Sequence, residues 1–262
     1  MNSELSYADR LNPQPEPPAP APQNFFSRLI GVYFSPGETF QEIGRAPRIL
    51  IPMIVLALLT MTAVIVVSQR ISFEQGAAQR IDDAREQGKI TPEQAETQKE
   101  QTKKFMSVFK YVIPVIAAIF TVVMALAFAG LAKLISSMMG IENNFKALLS
   151  VAVYALLAVA IVSSVVATLL LYLKPVEEID PNNPVSSNVA ALLAVAGVKG
   201  LPKFLNALLA YVDVFYIWKV VLLGIGFAAV SRKLKTSTAV TYVSVVALLI
   251  ALIGAAWTAV FT

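Results

Sequence analysis

Apolar residues in this chain fall into long runs separated by polar segments, and the run lengths suit membrane-crossing helices. Residues 49–68 are twenty uncharged positions, enough at about 1.5 Å per residue to cross a hydrocarbon core of about 30 Å. Further runs at 111–132, 147–173, 204–230 and 237–262 predict four more crossings. The pattern therefore predicts an all-α integral membrane protein with five transmembrane helices in a bundle. Pro52 and Pro114 lie early in their runs, where a missing backbone donor costs least. Ala125 and Ala129 with the adjacent Gly130, then Gly224, Gly226 and Ala228, then Gly254, Ala255 and Ala256, mark surfaces for close helix packing.

The segments between the runs divide the rest. Residues 1–23 carry six prolines among Ala, Gln and Glu. This is a disordered proline-rich tail without a signal-peptide pattern, either a solvated leader or a docking strand for a proline-binding partner. The membrane domain is then 24–262. Over 24–48, Phe25, Phe26, Leu29, Ile30, Tyr33 and Phe34 recur at helical spacing, predicting an amphipathic helix at the membrane surface. Ser35-Pro36-Gly37-Glu38 reads as a second helix start with a capping serine.

Residues 69–110 hold eight Lys/Arg and seven acids and must lie in water. They predict an extramembrane helical hairpin turning at Gly88, with Thr91-Pro92-Glu93-Gln94 starting a helix that continues into the second crossing. This hairpin is either a partner-binding element or a solvated extension of two crossings. Residues 174–188 read as a polar loop. The apolar stretch at 189–198, stopped by Gly197, Gly200 and Pro202, is too short to cross and reads as a re-entrant or surface helix.

Composition agrees with the membrane assignment: 56% of residues are hydrophobic and 15% charged, against about 45–50% and about 25% in a soluble domain. The net charge of +4 is too small and dispersed for a nucleic-acid surface, and instead carries orientation. Arg232, Lys233 and Lys235 crowd a short turn between the last two crossings, which places that turn and the N-terminal flank in the cytoplasm and the C-terminus outside. The eight basic residues of 69–110 then lie outside, against the trend.

Histidine and cysteine are absent, which removes Ser–His and thiolate chemistry, the usual zinc ligands and disulfides. No phosphate-cradling glycine loop is present. No catalytic residue, cofactor site or metal site is expected. Two ionisable residues fall inside the fourth run, Asp213 and Lys219, and an ionisable group in a crossing is a functional candidate by default. Six residues apart, they point in different directions around one helix. Asp213 either lines a polar path or makes a hydrogen-bonded tie to hydroxyls such as Tyr154, Ser163, Ser164 or Tyr242.

The segment YVDVFYIWKVVLLGIGFA at 211–228 resembles the fourth-crossing signature of the Yip-one domain family. SPGETFQEI at 35–43 with the proline-bearing start of the first crossing, and GIENNFKALLSVAVYALL at 140–157, are similar to further family pieces. The resemblance implies a non-catalytic polytopic membrane protein and marks Asp213, Phe215 and Trp218 as motif residues, with Lys219 beside them as a candidate intramembrane polar residue. Eukaryotic members bind Rab-type GTPases in vesicle traffic. The long loop at 69–110 and the proline-rich tail depart from that pattern and suit a bacterial member, so no Rab partner is implied.

The expected role is an inner-membrane scaffold or interaction protein of membrane organisation or trafficking. Its partners are the lipid bilayer and either another protein or a second copy, with no nucleic acid. Arg28, Arg45, Arg48, Arg232, Lys233 and Lys235 are the expected cytoplasmic lipid or partner contacts. The alternative is a transporter or permease subunit built around Asp213 and Lys219, with no substrate class legible.

Overall fold

The computed structural model describes residues 23–70, 73–173, 187–198, 200–231 and 233–261. The proline-rich tail, apart from Gln23, most of the polar loop at 174–188, and Arg232 lie outside the described residues. Every regular element among the described residues is an α-helix: α1 Phe25–Phe34, α2 Pro36–Arg45, α3 Leu50–Arg70, α4 Phe73–Glu86, α5 Pro92–Met138, α6 Phe145–Leu173, α7 Val189–Val195, α8 Lys203–Ala210, α9 Val214–Val230 and α10 Thr236–Phe261.

Four of these, α3, α5, α6 and α10, are long and apolar enough to cross a membrane. The central helix is α6, which packs against α1, α2, α3, α5 and α9 and buries nearly every side chain from Ala147 to Val159. α3 and α5 pack on it and on each other, α9 packs on it as well, and α10 packs on α9 and α8. Outward-facing Ile, Leu, Val and Phe on the long helices are consistent with a lipid surround.

The fourth apolar run does not form one helix. It is divided into α8 and α9 at Tyr211–Asp213, because Asp213 adopts an extended backbone and caps α9. At 17 residues, α9 reaches only about 25 Å, short of a full core. The apolar stretch at 189–198 ends earlier than drawn from sequence, at Val195, and is followed by Gly197 and Gly200 at φ +82° and +76°.

Local sequence signals explain the other boundaries. The Thr91 hydroxyl accepts from the Gln94 N–H at 3.2 Å while the Gln94 side chain accepts from the Thr91 N–H at 2.9 Å, which starts α5 at Pro92. From there α5 runs 47 residues, about 70 Å, without interruption. Ser35 makes no side-chain cap bond, contrary to expectation. Its backbone both closes α1, through its N–H to the Gly31 carbonyl, and opens α2, through its carbonyl to the Thr39 N–H.

α4 packs on α5 and is tied to it by Lys99 and Asp82 at 2.8 Å. The hydrogen bond from Lys99 comes first in holding the Asp82 carboxyl below its ordinary range, followed by the charges of Lys99 and Arg85. A lowered carboxylate pKa supports the folded state above the ordinary Asp value and loses that support as pH falls through the lowered one. Amide-exchange protection of α4 is therefore expected to be flat above about pH 4 and to decline below it. Asp82→Asn should flatten that decline, and the effect should be small because both groups face water.

Candidate functional site

The break between α8 and α9 brings together the residues singled out in the fourth run. One Asp213 carboxylate oxygen accepts from the Phe215 and Tyr216 N–H groups at 2.8 and 2.9 Å, satisfying donors freed at the start of α9. The other accepts from the Ser187 hydroxyl. Asn188 and Asp213 form an isolated antiparallel bridge, with the Val189 N–H donating to the Val212 carbonyl at 3.1 Å. The Asn188 side chain caps α7 through the Ala191 N–H at 2.9 Å. Two helix starts are thus paired side by side, each with its own side-chain cap.

A cavity of about 280 Å³ opens beside this pair, with Ser163, Ser164 and Thr168 of α6, Val67 of α3, and Asp213 and Phe215 in its wall. Ser163 and Ser164 therefore sit near Asp213, but the side-chain hydroxyl that bonds it is Ser187. Tyr242 lines a small apolar crevice between α5, α9 and α10 instead. Lys219 places its ammonium over the Tyr216 ring, 4.4 Å from the centroid.

The aromatic residues around the break each reach another helix. The Tyr216 hydroxyl donates to the Ala247 carbonyl in α10 at 3.0 Å, and the Tyr211 ring lies against Gly254. The Trp218 ring lies 6.0 Å from that of Tyr33 in α1, whose hydroxyl donates to the Ala158 carbonyl in α6 at 2.8 Å. Burial in α1 pushes the Tyr33 phenol above its ordinary value, which keeps it a donor.

At the opposite end of α9, the Asn143 amide lies 2.6 and 2.8 Å from the hydroxyls of Ser136 in α5 and Ser231 after α9. Lys133 donates to the Asn143 carbonyl at 2.6 Å. α2 rests on this end of α9, with Gly44 against Val230. Arg45, Arg48, Lys233 and Lys235 are all exposed there.

Arg28 is not. Its side chain is 0% exposed and points inward, where its guanidinium pairs with Glu42 of α2 at 2.8 Å. The surface contact expected of Arg28 is corrected accordingly. α1 is amphipathic with its charge facing the protein, while Phe26, Ile30 and Phe34, one helical face at i, i+4 and i+8, stand outward.

A family model described as the Yip1 domain matches residues 30–258, from within α1 to the last turn of α10. The chain belongs to the Yip1 domain family. No curated protein and no solved structure matches it. With the helices described above, this makes it a multi-pass membrane protein. In this Yip1 domain the most specific motif, 211–228, is the joint at which α8 turns into α9 and meets α1, α6 and α10. Among the described residues no group of His, Cys, Asp or Glu could hold a metal ion.

Sequence reasoning missed Ser187, Glu42 and Asn143. Asn143 carried a signal, being an amide beside a glycine-ended helix, and so did Glu42, set one short helical hairpin away from Arg28. Ser187 carried none, because its role depends on a bridge between distant segments.

Proposed function

We propose that this Yip1-domain chain is a non-catalytic membrane scaffold of the bacterial inner membrane, with its N-terminus cytoplasmic and its C-terminus outside. Five crossings are counted in this reading, the fourth made by α8 and α9 over 204–230, with α7 as a short helix beside it that does not cross. Its working surface is the basic end built by α2 and the α9–α10 turn, where Arg45, Arg48, Lys233 and Lys235 face anionic lipid or an acidic protein partner in membrane organisation. The α4–α5 hairpin projects from the other face.

The observation that carries this reading is the contrast between the two sets of polar residues. Both oxygens of Asp213 are engaged in capping α9 and in the Ser187 tie, whereas the basic side chains at the other end stand exposed. A residue consumed by helix capping is poorly suited to proton relay or solute binding.

Photo-crosslinking residues introduced at Arg45 and Lys233 in the full chain test the proposal. The expected result is a discrete protein or lipid adduct that is lost when Lys235 and Arg48 are both changed to glutamate. Asp213→Asn should leave the adduct and the fold intact, since asparagine caps as well as aspartate. Solute flux in proteoliposomes that Asp213→Asn abolishes, with no adduct at the basic end, would overturn it.

A further inference from the structure

A second groove, of about 560 Å³, lies between the outer half of α3 and the point where α5 meets the membrane. That volume falls within the range of small-molecule sites. Its wall is apolar, with Val64 of α3 facing Ile113 and Pro114 of α5, and its rim carries Gln69, Glu74 and Lys110. Among the described residues neither Glu74 nor Lys110 forms an ion pair. The Lys110 ammonium instead hangs over the neighbouring Tyr111 ring at 4.8 Å.

Opposite charges that share a rim without closing on each other leave room for a ligand carrying both signs. Lys110 and Tyr111 stand where α5 passes from its charged to its apolar part, the level of lipid headgroups. Pro114 has no N–H, so the Lys110 carbonyl loses its helical donor and adds an acceptor at this level.

We propose that the groove holds one phospholipid with a primary-amine headgroup, its phosphate on Lys110, its ammonium on Glu74, and one acyl chain along Val64 and Ile113. A primary ammonium donates hydrogen bonds to the carboxylate, which a choline cannot. The aromatic face that would favour a choline is already covered by Lys110. This inference rests on the membrane placement of α3 and α5 and is independent of the scaffold reading.

The test is native mass spectrometry of the full chain, delipidated in detergent and offered phosphatidylethanolamine, phosphatidylcholine or phosphatidylglycerol at equal concentration. Phosphatidylethanolamine should be retained above the other two. Glu74→Gln should lower its retention about threefold to fivefold, the scale of one solvent-facing ion pair. Glu74→Lys should move the preference to phosphatidylglycerol, a gain that misfolding cannot mimic. Val64→Trp, with unchanged helix content, should reduce retention of all three. Equal retention by the wild type, a wild-type preference for phosphatidylglycerol, or an unchanged preference in Glu74→Lys would each overturn the proposal.

Discussion

Glu42→Ala is expected to destabilise the protein by about 3–5 kcal/mol, because it leaves the Arg28 guanidinium buried with no counter-charge. The pair is imperfectly satisfied even when intact: among the described residues, Arg28 Nε and Nη1 and one Glu42 oxygen have no hydrogen-bond partner. Arg28 and Glu42 thus make a costly contact that holds α1 and α2 in one arrangement over α6. The double change Arg28→Met/Glu42→Leu is therefore expected to recover most of the loss, since a well-packed apolar pair avoids the desolvation cost of both charges. Trp218 offers a local readout, because its ring neighbours Tyr33 of α1. In a Trp257→Phe background, emission from Trp218 during denaturant titration in detergent should shift early for Glu42→Ala and near the parent midpoint for the double variant. Equal midpoints for Glu42→Ala and the parent would show that the pair contributes nothing.

Gly226→Leu is expected to prevent assembly of the bundle. A Cβ there would run into Val151 of α6 and lie 3.3 Å from the Phe40 ring of α2, where α9, α6 and α2 pack together. Both neighbours are fully buried, so overpacking of at least about 1–3 kcal/mol is expected. Gly130→Leu is the matched control, since a Cβ on Gly130 has nothing within 4 Å. Size-exclusion profiles after detergent extraction should show aggregated or absent protein for Gly226→Leu and a parent-like peak for Gly130→Leu.

Those two glycines also show what the sequence could and could not tell. Gly224 and Gly226 were readable as close-packing positions, and both are: a Cβ on Gly224 would come within 2.6 Å of the Val240 backbone. Gly130 had the same local appearance and faces outward, because which side of a uniformly apolar helix meets its neighbours is decided by the partner helices. The long apolar runs were legible for a simple reason, since most of their ends fall where charge begins. The break at Tyr211–Asp213 was not, because one aspartate in an apolar stretch barely lowers its mean hydropathy and its capping role depends on local backbone geometry. Arg28 misled for the opposite reason. A lone arginine on a short helix is ordinarily solvated, and only the α1–α2 turn brings Glu42 to it.

The uninterrupted α5 makes the molecule mechanically continuous from one face to the other. Its charged first part and its last turn, where Ser136 meets Asn143, belong to one stiff rod. A lateral pull at the Thr91 tip is therefore delivered as torque to the far end of α9, with Pro114 as the single interior proline at which the rod can yield.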